Sequence, residues 1–464
     1  LEKDVPVAYL FFNKRTNMRI HFIAIGGSIM HNLAIALHNK GHQVSGSDDA
    51  VFDPAKSRLE SHGLLPNKMG WFPEKINQNI DWVILGMHAK GDNPELQKAL
   101  KIKLEIHSFP ELVFSLSSEK LRVAIAGSHG KTTITSMVMH VLAHAGQDFN
   151  YLVGAKVKGF QDSVRLNESA KSIVLEADEY LSSPLDPRPK FLWYKPQVAL
   201  ISGIAWDHMN VFKTFEDYKK QFSLFIQSIP EGGSLIYFKG DKVLARLVGD
   251  HGHVKKIPYG YPGFNVQDGV FELAYNDQPV RVKMNGSHNL LNMEGARKVC
   301  HQLGVSDDVF YSAIQDFEGA GKRLETLYSD GDCMVFKDFA HAPSKVKATI
   351  SGIKEQYKGK RVIACLELHT YSSLNKNFLP QYAHTADDAD GFSVYINEGA
   401  VKLKGLEMIS APEVKDAFQR SQMKVFFNLE GIKEYFSRLN LKGTIVLLMS
   451  SGDFNGWDLK VWDK

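Results

Sequence analysis

The chain contains 464 residues, and at roughly 150 residues per domain this length predicts about three domains. Hydrophobic residues make up 44% and charged residues 23%, a balance that excludes a disordered, collagen-like or disulfide-rich chain. The net charge of +3 is too small to indicate nucleic-acid binding. The sequence contains no apolar run of the ~18 residues that a membrane-spanning helix needs. The three cysteines show no CxxC spacing, which favours a reducing compartment over a structural metal cluster.

The first 17 residues precede the first strong strand pattern. Their apolar stretch, residues 5–12, contains Pro6 and is flanked by the acidic Glu2 and Asp4. A signal peptide would have a basic start, a longer apolar stretch and a small-residue cleavage site. We therefore expect residues 1–17 to be an N-terminal extension, either native or left by cloning, and the protein to be cytoplasmic.

Strand and helix patterns alternate along the rest of the chain, which predicts α/β domains with mainly parallel sheets. A buried strand over 19–26, a helix ending at Gly41 and a strand over 43–47 form a first βαβ unit. A second strand–turn–helix unit begins at Leu121, and a third begins at Cys333. We predict three domains, which comprise residues 18–117, 118–324 and 325–464.

The most informative segment is a glycine-containing loop, Gly127-Ser128-His129-Gly130-Lys131-Thr132-Thr133, between a buried strand and an amphipathic helix. Its glycines allow backbone N–H groups to face a phosphate, and the helix N-terminus adds roughly half a positive charge. Lys131 is predicted to reach the β- and γ-phosphates of ATP, and the Thr132 hydroxyl to bind Mg²⁺. The segment departs from the GxxxxGK[ST] pattern because Ile125 occupies the position of the first glycine.

Two acidic segments follow strands downstream of this loop. Glu176-Ala177-Asp178-Glu179-Tyr180 comes after a strand over 172–175, and Asp207-His208 comes after a strand over 198–204. Carboxylates at the carboxyl ends of parallel strands lie where α/β sheets bind ligands, and their oxygens suit Mg²⁺. Each segment alone is equally consistent with a solvated loop or a helix cap, but together they favour a Mg²⁺–ATP site.

Six motifs in chain order resemble the Mur ligase family, the ATP-dependent amide ligases of bacterial cell-wall precursor synthesis. Three of them are the loop and the two acidic segments. The other three resemble the family's GxHNxxN, FxGxxxR and D-[FY]-x-H-x-P segments, and they are Gly286–Asn292, Phe317–Arg323 and Asp338–Pro343. The resemblance implies a Rossmann-like UDP-binding domain, a P-loop ATPase-like central domain and a Rossmann-like C-terminal domain.

The resemblance also implies a set of site residues, carried over from the matching motifs. The implied ATP-binding residues are Gly127, Ser128, His129, Gly130, Lys131, Thr132, Thr133, His288, Asn289, Asn292, Arg323 and Asp338. The implied catalytic residues are Lys131, Glu176, His208, Arg323 and His341. Thr132 and Glu176 would hold one Mg²⁺, and His208 would hold a second metal ion. Several relatives use a carbamylated lysine, but Phe222 stands at the matching place, so we expect no carbamate.

The first domain is expected to bind the UDP part of a sugar nucleotide. Gly26-Gly27-Ser28 lies at a strand-to-helix turn, where the backbone can approach a diphosphate. Ser47 and Asp48 end the second strand, where Asp48 can meet a sugar or base hydroxyl. His88 follows a third strand, and a loop histidine without a ligand contact is the more common alternative there.

The reaction implied by the resemblance joins UDP-N-acetylmuramate to an amine through an acyl phosphate. Two branches of the family compete, one that adds a whole L-alanyl-γ-D-glutamyl-meso-diaminopimelate tripeptide and one that adds L-alanine. The segments 176–196, 46–48 and 449–452 resemble the tripeptide branch, whereas residues 368–372 are closer to the alanine branch. Ala342 also departs from the tripeptide branch, which usually has a second histidine there. We expect the tripeptide as acceptor, with L-alanine as the alternative.

Two further classes of protein share parts of this pattern. A folate–polyglutamate-type ligase would have the ATP-binding domains, but it lacks the N-terminal βαβ unit. A non-catalytic nucleotide sensor would keep the phosphate loop and would need none of Glu176, His208, Arg323 and His341. Release of ADP that depends on both the sugar nucleotide and the amine separates the ligase from the sensor.

Overall fold

The computed structural model describes residues 17–209, 211–319, 321 and 323–458. Residues 1–16 of the expected extension and Lys322 of the FxGxxxR-like segment lie outside the described residues. Three large, mainly parallel sheets follow one another along the described chain, which confirms the predicted α/β fold class. No helix in these ranges is long and apolar enough to cross a membrane.

The first sheet has four parallel strands in the order β2-β1-β3-β4. Its strands are β1 (Arg19–Ile23), β2 (Gln43–Ser47), β3 (Trp82–Leu85) and β4 (Glu105–Ser108). Its helices are α1 (Ser28–Asn39), α2 (Ala55–Ser61), α3 (Pro94–Lys101) and α4 (Phe109–Leu116). The central strands β1 and β3 are buried almost throughout, as expected for a parallel sheet covered by helices on both faces.

The second sheet has seven strands in the order β13-β12-β11-β5-β8-β6-β7, and β7 pairs antiparallel with β6. Its strands are β5 (Leu121–Ala126), β6 (Asn150–Leu152), β7 (Val164–Arg165), β8 (Ser172–Glu176), β11 (Val198–Ile201), β12 (Ser234–Phe238) and β13 (Lys255–Tyr259). A hairpin of β9 (Leu181–Ser183) and β10 (Asp186–Pro189) and an antiparallel sheet of β14 (Phe264–Gln267), β15 (Val270–Tyr275) and β16 (Gln278–Val282) accompany it. The helices are α5 (Lys131–His144), α6 (Phe191–Tyr194), α7 (Phe215–Gln227), α8 (Lys242–Gly249), α9 (His288–Gln302) and α10 (Asp307–Ile314).

The third sheet has six strands in the order β17-β18-β22-β19-β20-β21, and β17 pairs antiparallel with β18. Its strands are β17 (Glu325–Ser329), β18 (Met334–Asp338), β19 (Arg361–Leu368), β20 (Gly391–Ile396), β21 (Lys424–Phe426) and β22 (Thr444–Met449). Its helices are α11 (Pro343–Gln356), α12 (Glu398–Leu403), α13 (Ala411–Ala417) and α14 (Leu429–Ser437). Short 3₁₀ turns lie at Pro73–Lys75 and Leu379–Tyr382.

The predicted domain boundaries stay predictions, and both fall in connecting segments. Residue 118 lies between α4 and β5, and residue 324 lies between α10 and β17. Two predicted strands are shorter than expected. The strand that begins at Arg19 ends at Ile23, because Ala24 adopts a positive φ of 67°. The strand that begins at Val198 ends at Ile201, two residues before Gly203, whose φ is 149°.

Candidate active site

The phosphate loop connects β5 to α5 and depends on two glycines with positive φ. Gly127 has φ 121° and Gly130 has φ 71°, conformations that residues with a side chain rarely adopt. A Cβ atom on Gly127 would lie 2.7 Å from the backbone nitrogen of Ser202, and one on Gly130 would collide with the side chain of Asn292. The loop therefore packs tightly against the segment after β11 and against α9.

Lys131 is paired with an acidic residue of the segment after β8. Its Nζ atom lies 2.7 Å from Oε2 of Glu179 and 2.8 Å from the carbonyl oxygen of Gly127. Burial lowers the pKa of Lys131, but attraction to Glu179 and Asp178 outweighs it and holds this pKa above its ordinary value. Lys131 is therefore a cation held at the phosphate loop, as its predicted role requires.

Thr132 and Glu176, two of the three predicted metal ligands, are in direct contact. The Thr132 hydroxyl donates a hydrogen bond of 2.7 Å to Oε1 of Glu176, whose Oε2 accepts one of 2.7 Å from the backbone N–H of Gly154. The third, His208, lies instead beside Glu179, with 3.6 Å between its Nε2 atom and Oε1 of Glu179. The structure thus keeps the two residues predicted for the first ion together and sets the residue predicted for the second beside Glu179, and the ions themselves stay predictions.

Glu179 contacts both Lys131 and His208, and the sequence reasoning did not single it out. Its side chain is 1% exposed, and its Oε1 atom accepts a hydrogen bond of 2.8 Å from the Tyr218 hydroxyl on α7. The Tyr218 oxygen is also 2.9 Å from Oγ of Ser128. Glu179 lies in the acidic segment already identified, but the alternation of residues could not show which carboxylate faces the loop.

The donor atoms of Asp178, Glu179 and His208 lie within 4.8 Å of one another. Two carboxylates and an imidazole suit a divalent cation, although Mg²⁺ prefers oxygen ligands. Thr132 and Glu176, which contact each other, offer further oxygen ligands. The residues present therefore fit the implied Mg²⁺, and the particular ligand set stays a prediction.

A cleft of about 270 Å³ opens beside the loop. Residues of the phosphate loop and of the GxHNxxN-like, FxGxxxR-like and D-[FY]-x-H-x-P-like segments line it. Every predicted ATP-binding residue except Gly127 lies in its wall. The wall also contains side chains that sequence reasoning missed: Phe238, Asp241, Tyr261 and Lys345. Phe238 is the last residue of β12, and Tyr261 lies two residues after β13. The centres of their rings are 6.4 Å apart.

The segment after β18 closes one side of this cleft. Asp338 accepts hydrogen bonds from the backbone N–H groups of Leu324 at 2.8 Å and Ala340 at 2.9 Å, and from the Thr349 hydroxyl at 3.1 Å. The Arg323 guanidinium lies 4.4 Å from the centre of the Phe339 ring. Asp338 therefore organises the segment that carries Arg323 into the cleft, and its predicted contact with ATP stays a prediction.

Two histidines near the cleft are uncharged at neutral pH. Burial lowers the pKa of both His129 and His341 to about 3. The Nδ1 atom of His341 lies 2.8 Å from the carbonyl oxygen of Phe339. Since a carbonyl oxygen can only accept, Nδ1 carries the proton and Nε2 of the neutral ring keeps a lone pair.

The predicted UDP-binding residues lie at the carboxyl ends of β1, β2 and β3. The N–H group of Gly26 donates a hydrogen bond of 2.7 Å to Oδ2 of Asp48, and Gly27-Ser28 begins α1. Burial raises the pKa of Asp48 to about 6. Ser47 is buried beside it, whereas His88 is exposed on the turn after β3. The structure therefore brings the glycine turn and Asp48 together, and the binding of UDP there stays a prediction.

Models of known protein families match the first two sheets of this chain. The model of the Mur ligase family catalytic domain matches residues 19–120, and the model of the Mur ligase middle domain matches residues 125–300. A UDP-N-acetylmuramate–L-alanine ligase of Carboxydothermus hydrogenoformans is 30% identical over 467 residues, which cover 97% of each chain.

Solved structures of murein peptide ligases have the same fold. The enzyme of Psychrobacter arcticus is 24% identical and superposes with a TM-score of 0.67 over 96% of this chain and 98% of its own. The UDP-N-acetylmuramate:L-alanyl-γ-D-glutamyl-meso-diaminopimelate ligase of Neisseria meningitides is 26% identical, with a TM-score of 0.60 over 65% of this chain and 98% of its own.

The three sheets, the phosphate loop and the cleft that residues of the second and third sheets form beside it define an ATP-dependent ligase that forms amide bonds. The chain belongs to the Mur ligase family.

Proposed function

We propose that this ligase joins the carboxylate of UDP-N-acetylmuramate to the amine of an acceptor, with ATP as the source of energy. The observation that carries the proposal is the cleft in which Lys131, Asn289 and Arg323 meet from three separate segments of the chain. The names of the relatives support the sugar nucleotide as substrate. Because ATP and nucleotide sugars are substrates made inside cells, we place the reaction in the cytoplasm.

The first step would transfer the γ-phosphate of ATP to the sugar nucleotide. A carboxylate oxygen attacks the γ-phosphorus, the bond to the β-phosphate oxygen breaks, and ADP leaves. Lys131 is placed to neutralise charge on the transferring group, an effect worth several kcal/mol, order of magnitude. A bound Mg²⁺ would supply further neutralisation there. When ATP arrives, Lys131 would exchange Glu179 for phosphate oxygens.

The second step would form the amide bond. The lone pair of the acceptor nitrogen attacks the acyl carbon, the C–O bond breaks, and phosphate leaves with its electron pair. The nitrogen must be uncharged to attack, and the proton that it then loses can pass to the departing phosphate, whose oxygens are stronger bases than the buried imidazole of His341. His341, whose neutral ring keeps a lone pair on Nε2, is suited to accept a hydrogen bond from that amine. Arg323 would hold phosphate oxygens at the same end of the cleft.

We propose L-alanine as the acceptor. The names of the curated relatives back this alternative of the sequence analysis better than the tripeptide. Residues 368–372 begin at the last residue of β19, at the carboxyl end of this strand, and they also resemble the alanine branch. The tripeptide is the second candidate, since the Neisseria ligase named for it is 26% identical and the segment 176–196 resembles that branch.

An acceptor panel tests the proposal. Purified enzyme, ATP, Mg²⁺ and UDP-N-acetylmuramate are incubated with L-alanine, D-alanine or the tripeptide, and the UDP-linked product is identified by mass. A kcat/KM for L-alanine at least tenfold above that for the tripeptide supports the proposal, and the reverse ratio assigns the tripeptide. D-alanine is the matched control for a specific acceptor site. Absence of ADP release with every acceptor would contradict the ligase and favour the nucleotide sensor.

A further inference from the structure

Lys190 lies where the β9–β10 hairpin meets the first sheet and the acidic segment. It follows β10 directly, and its side chain is 15% exposed. Its Nζ atom lies 2.8 Å from Oδ2 of Asp178, and 5.6 Å from the ring centres of both Phe109 and Tyr180. The two rings and the carboxylate therefore hold the ammonium group at one place between the two sheets.

One side of Lys190 faces the phosphate loop. Its partner Asp178 belongs to the group of donors that also contains Glu179 and His208. The Tyr180 ring, which contacts Lys190, lies 5.2 Å from the His208 ring. Lys190 is thus one contact away from the residues that would surround the γ-phosphate of ATP.

A second cleft, of about 500 Å³, lies between the first sheet and the hairpin. Leu85 and Ser108, at the ends of β3 and β4, form one wall, and Arg188 and Trp193 form the other. Ser108 immediately precedes Phe109, and Arg188 lies two residues before Lys190. A sugar nucleotide in this cleft would lie beside wall residues that are close in the chain to Lys190 and to its ring partner Phe109.

The charges around Lys190 give it a role that Lys131 cannot fill. Three carboxylates lie close together beside the loop, those of Glu176, Asp178 and Glu179. They would repel a fourth carboxylate brought by a substrate. Lys131 is committed to phosphate oxygens once ATP binds. An ammonium group has three donors, and the bond to Asp178 uses one of them.

We propose that Lys190 binds the lactyl carboxylate of the sugar nucleotide and aligns it for attack on the γ-phosphate. The inference rests on the proposed function and adds the residue that recognises the reacting group. Lys190 keeps its bond to Asp178 while its remaining donors reach the carboxylate. It is a substrate-binding residue of the reaction, supplied by the β9–β10 hairpin.

The test compares two sugar nucleotides that differ in this one group. UDP-N-acetylglucosamine has the same nucleotide and N-acetyl sugar as UDP-N-acetylmuramate but lacks the lactyl carboxylate. Calorimetry measures the affinity of each for the wild type, Lys190→Met and Lys219→Met, a control that removes the same charge from the exposed face of α7. We expect Lys190→Met to weaken UDP-N-acetylmuramate at least tenfold and to change UDP-N-acetylglucosamine less than twofold. The control should change neither.

Equal weakening of both ligands by Lys190→Met would overturn the inference, because it would show a structural role for the side chain. No weakening of either would overturn it as well. If Lys190→Met fails to fold, Lys190→Gln gives the same comparison, since its amide can still donate to Asp178. If the wild type does not bind UDP-N-acetylmuramate, the proposed function itself is wrong. If the wild type binds it and releases ADP, but the Lys190 variants bind it equally well, only the role of Lys190 is wrong.

Discussion

The ammonium group of Lys131 lies 2.7 Å from the Oε2 atom of Glu179, and Oε1 of the same carboxylate accepts a hydrogen bond from Tyr218. One buried carboxylate thus contacts the lysine of the phosphate loop, a tyrosine of α7 and, at 3.6 Å, the imidazole of His208. Removing one partner of a buried ion pair leaves the other charge without compensation. The position of Lys131 therefore depends on Glu179 in the absence of nucleotide.

Glu179→Gln should raise the Mg²⁺ concentration for half-maximal ADP release and lower the thermal midpoint. Loss of the charge removes the ion pair of Lys131 and leaves it the carbonyl of Gly127 and the attraction of Asp178, so the cost should be below the roughly 3–5 kcal/mol of a fully buried pair that loses its only partner. Tyr218→Phe removes one hydrogen bond to the same carboxylate and should cost about 1 kcal/mol. The Mg²⁺ dependence of initial rates and thermal unfolding check both variants, with Tyr275→Phe as control, since it also removes a hydrogen bond from a tyrosine to a carboxylate, that of Asp308, outside the cleft. An unchanged Mg²⁺ curve for Glu179→Gln would show that this carboxylate is not near the metal.

Lys131→Ala should abolish ADP formation and leave the affinity for UDP-N-acetylmuramate nearly intact. The reason is that the phosphate loop and the Gly26–Asp48 turn belong to different sheets. Calorimetry with the sugar nucleotide is the measurement, and binding of ADP to the same variant is the comparison. A large loss of sugar-nucleotide affinity would contradict this division between the two sheets.

Glu176→Ala and His208→Ala should each raise the Mg²⁺ requirement, but they should couple to different partners. His208 faces Glu179, whereas Glu176 contacts Thr132. Mutations of residues in contact are generally non-additive by 0.5–3 kcal/mol, a typical range for neighbouring side chains. We therefore expect His208→Ala and Glu179→Gln to be non-additive in kcat/KM, and His208→Ala and Thr132→Ala to be closer to additive. Equal coupling in the two cycles would mean that the three side chains act as one metal site.

Asp48 should make the protein less stable as the pH rises from about 4 to 7. Burial raises its pKa to about 6 from an ordinary value of 3.8. The native state then holds more protons than the unfolded state between these two values, so the free energy of unfolding falls as the pH rises through this window. The contribution is about 2–3 kcal/mol, order of magnitude. Denaturant unfolding at pH 4.5 and pH 7.5 should show a smaller fall for Asp48→Asn than for the wild type. Equal falls would mean that Asp48 titrates alike in both states.

The elements of this protein were readable from local sequence. The strand over 43–47 has the predicted bounds, and the helix after the phosphate loop begins at Lys131 as its glycines and apolar spacing indicate. The loop itself was recognisable because Gly127 and Gly130 adopt backbone conformations that other residues avoid. The family was recognisable because six short motifs keep their order along the chain.

The contacts of the site were decided by tertiary structure. Glu179 and Lys131 are 48 residues apart in the chain. Tyr261, which follows β13, and Lys345 of α11 line the same cleft. The packing of β5, β8 and α7 decides which of the three neighbouring carboxylates contacts Lys131. The spacing of apolar residues along the chain does not determine that packing. Sequence by itself determined the fold class, the elements and the motif residues, because backbone preference and apolar spacing act over a few residues. Tertiary structure decided the partners of each charge, because the free energy of a buried charge depends on which groups surround it in space.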